Sequence, residues 1–158
     1  MVAIVPMPTH QPDGARRGAD AAALIERLGL EPHPEGGWFT ETWRDPGTDG
    51  ARGSGTAIYY LLEAGQRSAW HRVDATEIWH HYAGAPLRLE LWDGVRHRGF
   101  TLGDNLLDGQ VPQAVVEPGE WQAAVSLGEL SLVGCTVSPA FEFDGFELAP
   151  PGWSPGQV

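Results

Sequence analysis

Apolar and polar residues alternate with a period of two along much of the chain after residue 37. Leu87, Leu89 and Leu91 each precede a polar or amphipathic residue, which places the three leucines on one face of a strand. Similar short segments follow at close spacing, separated by Asp-Gly and Pro-Gly pairs that are typical of turns. We predict strands over residues 38–44, 56–62, 68–73, 77–82, 87–92, 98–102, 113–116, 121–125, 130–137 and 141–148. Ten such strands predict an all-β sandwich or barrel.

A short helix is predicted before the strands. Asp20 can cap a helix over residues 21–28, and Gly29 follows at the position where helices usually end. Prolines interrupt the apolar residues nearest the amino terminus, and no basic residue precedes them, which is unlike a secretion signal. We therefore predict a flexible tail over residues 1–20, a single domain over residues 21–150 and a second tail over residues 151–158.

The charge of the chain narrows the classes of partner. Its 158 residues include 21 acidic and 10 basic side chains, for a formal net charge of −11. Such a chain would be repelled by nucleic acid and by anionic membrane surfaces, so neither is an expected partner. All ten basic residues are arginine, which excludes Schiff-base chemistry through a lysine. The single Cys135 cannot form an intramolecular disulfide, and no apolar run is long enough to span a membrane. These features predict a cytoplasmic protein.

The densest group of reactive side chains lies between Gly65 and Gly84. Within it, His71, Val73 and Glu77 follow the spacing Gly-x5-His-x-Val-x3-Glu-x6-Gly. This segment resembles the first signature of the cupin superfamily, which has histidines at the positions of His71 and Val73 and a glutamate at that of Glu77.

The second cupin signature has a weaker counterpart. Residues 118–122 read Pro-Gly-Glu-Trp-Gln, so that Gln122 stands where the signature ends in a metal-binding histidine. Further segments match in order over residues 24–44, 56–62, 70–84, 121–124 and 132–149. Together they resemble a small cupin subgroup described as predicted sugar epimerases. The resemblance implies a double-stranded β-helix, the jelly-roll barrel of cupins, commonly as a homodimer with a ligand pocket inside. It leaves the reaction open, because this fold carries isomerases, oxygenases, sensors and storage proteins.

The resemblance raises the question of a metal site, which in cupins uses two or three imidazoles and a carboxylate. Val73 offers no lone pair and Gln122 only a neutral amide oxygen, so we expect no cofactor. His81 shares a strand face with Glu77 but lies roughly 13 Å along it, too far to complete the same site. A weakly bound divalent metal held by His71, Glu77 and Gln122 is the alternative.

An acid–base function uses the same residues differently. Glu77 could orient His71 as a general base, with Tyr60 or Tyr59 as the acid on the opposite side of a sugar-like ring. The alternative is a buried His-Glu pair that only stabilises the fold. The functional hypotheses are therefore an isomerase or epimerase acting on a small polar molecule, a non-catalytic ligand-binding or sensing protein, and a weakly metal-dependent oxygenase or lyase.

Several further residues are candidates for ligand contact, each with a structural alternative. Trp79 and Trp121 could stack on a ligand or simply fill the core, and Arg44 could bind an anion or form a surface ion pair. Cys135, in an apolar strand, is expected to be a buried hydrophobic residue rather than a nucleophile. The predicted ligand-binding residues are Arg44, Tyr59, Trp79, His81, Trp121 and Gln122.

Overall fold

A computed structural model describes residues 17–156 of the chain. It contains the helix α1 (Arg17–Leu28) and the strands β1 (Glu31–Pro32), β2 (Trp38–Arg44), β3 (Thr56–Glu63), β4 (Arg67–Val73), β5 (Thr76–Gly84), β6 (Leu87–Trp92), β7 (His97–Leu102), β8 (Gln113–Val116), β9 (Trp121–Ser126), β10 (Leu130–Ser138) and β11 (Phe146–Leu148). Two short 3-10 helices cover Leu106–Asp108 and Phe143–Gly145. No helix within these residues is long and apolar enough to cross a membrane.

The strands form two antiparallel sheets. The first sheet has the order β1-β2-β3-β10-β5-β8 and the second has the order β11-β4-β9-β6-β7. Most neighbours are distant in sequence, as when β4 pairs with β9 and β10 inserts between β3 and β5. The all-β prediction is confirmed, and the arrangement is the jelly-roll barrel of a double-stranded β-helix.

The alternation in the sequence predicts the interior of this barrel. Leu87, Leu89 and Leu91 are fully buried, and they pack in one core with Trp79 and Val133 of the opposite sheet. Burial of this face provides the main stabilisation of the sheet pair, since each fully buried leucine contributes about 1.5–3 kcal/mol. The two sheets therefore pack face to face, with their inward residues forming the core.

Most predicted strand boundaries agree with the structure to within two residues, and one predicted strand is wrong in part. Residues 141–148 were predicted as one strand, yet only Phe146–Leu148 pairs with a neighbour, namely β4. Before it the chain turns through the 3-10 helix Phe143–Gly145, and the amide of Gly145 donates to the carbonyl of Glu142. The apolar residues of this segment face a cavity instead of a sheet partner.

The predicted tails differ in how far the structure describes them. Most of residues 1–20 lie outside the described part. The helix begins at Arg17, four residues earlier than predicted. It ends as expected before Gly29, whose φ is +64°. Beyond residue 150 the chain stays close to the barrel. Trp153 packs against Trp121, Trp92 and Trp70 on the outer face of the second sheet, with ring centroids 4.6–6.0 Å apart.

Candidate functional site

A cavity of about 280 Å³ opens into the barrel between the two sheets. Its walls come from strands β2, β3, β4, β5 and β10 and from the segments that lead into β2 and β11. The residues that line it are His33, Glu35, Phe39, Glu41, Arg44, Thr56, Ile58, His71, Val73, Glu77, Cys135, Val137, Phe141, Phe143 and Phe146. This set combines a mostly apolar wall with a few buried polar groups, as ligand sites in proteins usually do.

The polar groups form one cluster, which we call the polar cluster: His33, Glu35, His71 and Glu77. His71 is 2% exposed, and its Nδ1 lies 2.7 Å from the carbonyl oxygen of Ala69 and 3.1 Å from Oε2 of Glu35. Because a carbonyl oxygen only accepts, Nδ1 must carry a proton and Nε2 of the neutral ring has the lone pair. Nε2 has no hydrogen-bond partner among residues 17–156. Burial lowers the pKa of His71, partly opposed by the charge of Glu77, so a neutral, basic imidazole is favoured.

Glu35 owes its position to the glycine pair that follows it. Gly36 has a φ of +113°, and a Cβ there would collide with the carbonyl oxygen of Arg67, so the turn requires glycine. The carboxyl group of Glu35 is buried, and its Oε1 accepts a 2.7 Å hydrogen bond from the Ser68 hydroxyl. Burial raises the pKa of Glu35. A buried carboxyl is therefore held against the protonated nitrogen of His71.

His33 has the opposite tautomer to His71. Its Nδ1 accepts a hydrogen bond of 3.1 Å from the backbone amide of Glu35, so in the neutral ring the proton lies on Nε2. Burial lowers the pKa of His33 as well, and its ring packs edge-on against Phe39 at 4.5 Å. The cavity wall thus carries one imidazole that can donate and one that can accept a hydrogen bond.

Glu77 belongs to a chain of buried hydrogen bonds that links the two sheets. Gln122 is paired with His71 between β4 and β9, and its side chain reaches across the interior. Its Nε2 donates to Oε2 of Glu77 at 2.6 Å, while its Oε1 accepts from Nε1 of Trp79 at 2.7 Å. Burial raises the pKa of Glu77. Both ends of the Gln122 amide are therefore occupied by protein groups.

Within the described part of the chain, no direct polar contact between Glu77 and His71 accompanies the predicted partnership. Strands β4 and β5 belong to different sheets, so the two side chains face each other across the interior instead of lying side by side. No ion pair within 4 Å joins them in the described residues; the carboxylate at His71 belongs to Glu35.

The two tyrosines do not occupy the predicted positions either. Tyr60 is buried, and its hydroxyl donates a 2.6 Å hydrogen bond to the carbonyl oxygen of Gly36 instead of lining the cavity. Tyr59 points to the outer face of β3, where its ring meets Tyr82 edge-on at 6.1 Å. Alternation along the strand places neighbouring residues on opposite faces, so at most one of the two could have pointed inward.

Of the six predicted ligand-binding residues, Arg44 alone lines the cavity. Its guanidinium group bonds both carboxylate oxygens of Glu41 at 2.9 and 2.8 Å, and its third nitrogen donates to the carbonyl oxygen of Phe141 at 2.8 Å. The structure therefore favours the ion-pair alternative over a free anion-binding group.

The other predicted ligand contacts lie elsewhere. Trp79 and Gln122 are buried behind the cavity wall, in the hydrogen-bond chain to Glu77. Trp121 faces outward, with the guanidinium of Arg72 4.8 Å from its ring centre. The Nε2 atom of His81 lies 3.1 Å from the carbonyl oxygen of Ala85.

The donor set of the cavity does not fit a cupin metal centre. Val73 lines the cavity with a side chain that has no lone pair, and Gln122 already donates to Glu77 and accepts from Trp79. His71, Glu77 and Gln122, the alternative metal set, therefore lack a free third donor. Within residues 17–156, no group of three His, Cys, Asp or Glu side chains is placed to hold a metal ion.

Sequence reasoning missed His33 and Glu35. They precede a glycine pair and the first long strand, a signal that indicates a tight turn without showing where its side chains point. It also missed the phenylalanine cluster, namely Phe141, Phe143 and Phe146, whose ring centroids lie 5.2–6.2 Å apart at the cavity. Cys135 lines the cavity as a buried thiol, and burial raises its pKa well above the ordinary value.

Comparison with known proteins identifies the family of this chain. Residues 22–149 match the family model described as "Cupin superfamily (DUF985)". A hypothetical protein from Leishmania major is 30% identical with a TM-score of 0.75, over 82% of this chain and 86% of that chain. A protein from Shewanella oneidensis is 36% identical with a TM-score of 0.78, over 82% and 84% of the two chains. No curated protein matches the chain.

A more distant likeness concerns the fold alone. A dTDP sugar isomerase from Desulfovibrio desulfuricans superposes with a TM-score of 0.56 at 15% identity, over 78% of this chain and 88% of that chain.

Proposed function

The chain belongs to the cupin superfamily (DUF985), and on that basis we propose that its cavity is the active site of an isomerase that moves a proton on a small polar or sugar-like molecule. His71 is the proposed base. The observation that carries this proposal is the fixed tautomer of His71: its Nδ1–H group is held by Ala69 and Glu35, which leaves Nε2 as the basic atom.

The contact with Glu35 prepares His71 for this role. When Nε2 takes a proton the ring becomes an imidazolium, and a carboxylate against Nδ1 stabilises that charge, as in other carboxylate–histidine pairs. Burial lowers the pKa of His71, which keeps the ring unprotonated and ready to act near neutral pH.

The proposed step is balanced within the substrate and the protein. Nε2 of His71 removes a proton from a carbon next to a carbonyl group, and the electron pair of the broken C–H bond forms an enolate. The Nε2–H group of His33 donates a hydrogen bond to the developing oxyanion. In a substrate with a hydroxyl group on that carbon, the hydroxyl proton shifts to the oxyanion, and Nε2 of His71 returns its proton on the same face to the former carbonyl carbon. No oxidant or reductant is consumed, and one isomer becomes another.

The polar cluster supports this proposal, since His71 would serve as the base and His33 as a hydrogen-bond donor in one cavity. The isomerase named among the structural neighbours is compatible with this proposal, although a likeness at 15% identity shows the fold alone.

A second candidate is a non-catalytic ligand-binding protein. The hydrogen-bond chain from Glu77 through Gln122 to Trp79 favours it, because a carboxyl group held in this way can serve a purely structural purpose. In that case the cavity would bind its ligand and release it unchanged.

Deuterium uptake separates these two functions. The protein is incubated in heavy water with a panel of unphosphorylated ketoses, aldoses and aryl ketones, and loss of proton signal is followed by NMR. We expect exchange at one carbon of at least one compound, reduced by about 10²-fold or more in His71→Gln. The matched control His80→Gln, on the outer face of β5, should exchange normally.

Exchange that persists in His71→Gln would overturn the assignment of His71 as the base. A panel compound that binds and takes up no deuterium with the wild-type protein would favour the ligand-binding function.

A further inference from the structure

We infer that the cavity selects an uncharged or positively charged molecule the size of one substituted ring, and rejects phosphorylated and carboxylated ligands. This inference rests on the proposed function, because it concerns the same cavity, but it depends on the charge and size of the walls and not on the proton-transfer step.

The walls of the cavity carry more acidic than basic side chains. Three carboxyl groups line the cavity, those of Glu35, Glu41 and Glu77, against the single guanidinium of Arg44. That guanidinium uses Nε and one terminal nitrogen on Glu41 and the other terminal nitrogen on a backbone carbonyl. The chain contains no lysine. An entering anion would therefore meet buried carboxyl groups without a free cation to balance its charge.

Burial strengthens this discrimination. Glu35 and Glu77 are each less than 10% exposed, so water screens their interaction with a ligand only weakly. An anionic ligand would lose its hydration and gain no ion pair, whereas a neutral or cationic ligand would not face this repulsion.

The size of the cavity limits the ligand to a small molecule. Its volume is about 280 Å³, and a cavity of roughly 150 Å³ is enough to bind benzene. One substituted ring fits this space. A nucleoside diphosphate sugar has three ring systems and two phosphate groups, so it is both too large and of the wrong charge.

The cavity has an apolar side and a polar side, and each favours a matching part of the ligand. The phenylalanine cluster offers an apolar surface at the cavity, with Phe143 itself 63% exposed. His33 and His71 have opposite tautomers, so they suit a ligand that carries both a hydrogen-bond acceptor and a donor. An aromatic or alicyclic ring with an amide, amidine or hydroxy-ketone group has this chemistry.

Three probes of nearly equal shape test the inference: benzamide, benzamidine and benzoate, which are neutral, cationic and anionic at pH 7. Binding to the full chain is measured by NMR titration at low salt. We expect benzamide and benzamidine to bind, and benzoate to bind more than about tenfold more weakly than benzamide, a difference above 1.4 kcal/mol.

Two substitutions, at positions with half-exposed or exposed side chains, test which residues cause the difference in affinity between the probes. Glu41→Gln removes the partner of Arg44, so it should strengthen benzoate binding relative to benzamide binding. Phe143→Ala removes part of the apolar surface and should weaken benzamide and benzamidine together. Their proton spectra show whether each variant remains folded.

Benzoate binding as tight as that of benzamide, or no binding of any probe at about 10 mM, would overturn the inference, since fragments this small bind well-matched sites at millimolar concentration or better. Failure of the proposed function has a different signature. In that case the probes would keep their order of affinity, while no bound ketone would take up deuterium.

Discussion

Oε2 of Glu35 lies 3.1 Å from Nδ1 of His71, and both side chains are buried in the cavity wall. One residue follows the short strand β1 and the other lies in β4 of the second sheet. This contact joins the proposed base to the carboxyl group that can stabilise its charged form, and it is the central geometric feature of the candidate site.

Replacing that carboxyl group should weaken the base without removing it. In Glu35→Gln the amide can still accept from Ser68, while the charge near Nδ1 is lost. The carbonyl of Ala69 keeps the tautomer, so we expect a loss of about 10- to 100-fold, at the lower end of acid–base effects. The measurement is the ring opening of 5-nitrobenzisoxazole, a neutral probe that reacts when a base removes one proton.

Ser68→Ala is the matched control, because it removes a contact of Glu35 and keeps the carboxyl group. We expect it to react nearly as fast as the wild-type protein. Equal rates for Glu35→Gln and the wild-type protein would show that Glu35 does not assist His71.

Gln122 should be important for stability because both ends of its amide are used. Gln122→Leu has a similar volume but leaves a buried carboxyl group of Glu77 and the Nε1–H group of Trp79 without partners. We expect the free energy of unfolding to fall by about 3 kcal/mol, given about 1–3 kcal/mol for each unsatisfied group. Urea denaturation measures it. In the Trp79→Phe background, which has no indole N–H to satisfy, the same substitution should cost less; an equal cost would contradict this explanation.

Glu77 should make the protein less stable as the pH rises. Its pKa in the folded state is raised above the ordinary 4.5, mainly by burial, so the folded state binds its proton more tightly than the unfolded chain does. Stability from this group is complete below pH 4.5 and is lost as the pH rises through the folded pKa. Relative to the wild-type protein, Glu77→Gln should therefore gain Tm as the pH rises above 4.5.

Thermal unfolding monitored by circular dichroism at several pH values measures this difference. Glu129→Gln removes an exposed carboxyl group and controls for the loss of one negative charge. A Tm difference for Glu77→Gln that stays constant from pH 5 to pH 8, or that falls, would show that burial does not govern this group.

Cys135 should be unreactive in the folded protein. Its thiol is buried, and burial raises its pKa well above the ordinary 9.0, while alkylating reagents attack the thiolate. Iodoacetamide at pH 8 should therefore leave the native chain unmodified and add one adduct after denaturation, as measured by intact-mass spectrometry. Rapid modification of the native chain would indicate that the cavity exposes this thiol.

The outer face of the first sheet is the surface on which we expect a homodimer to form. Trp43 and Tyr82 are each 52% exposed there, and Val115 is 43% exposed beside its strand neighbour Ile78. Two chains of net charge −11 repel each other less where they meet through apolar side chains. Light scattering should give about twice the mass of 17.1 kDa.

Val115→Glu should reduce that mass to one chain, because it places a charge on the apolar face where we expect the contact. Leu107→Glu, at a nearly fully exposed position outside this sheet, is the control and should leave the mass unchanged. A monomeric wild-type protein, or a dimer that tolerates Val115→Glu, would show that this face is not the interface.

The pattern of apolar and polar residues predicts the strands and the side of each strand that faces inward. Leu87, Leu89 and Leu91 alternate with residues that remain partly exposed, and this pattern depends only on the local geometry of a strand. The resemblance to cupins placed His71 and Glu77 inside the barrel and the apolar strand placed Cys135 there, and the structure shows all three as buried. Segments without alternation, such as residues 141–145, were predicted less well.

Contacts between interior side chains depend on the assembled barrel and do not follow from the pattern of any one strand. Whether Glu35 or Glu77 reaches His71 depends on the order of strands in two sheets and on a turn at Gly36 that only glycine can form. Whether Gln122 serves as a ligand or as a bridge depends on Trp79 and Glu77 facing it from the opposite sheet. Periodicity fixes the direction of a side chain relative to its own strand, whereas a contact between strands distant in sequence is fixed by the packing of the whole barrel.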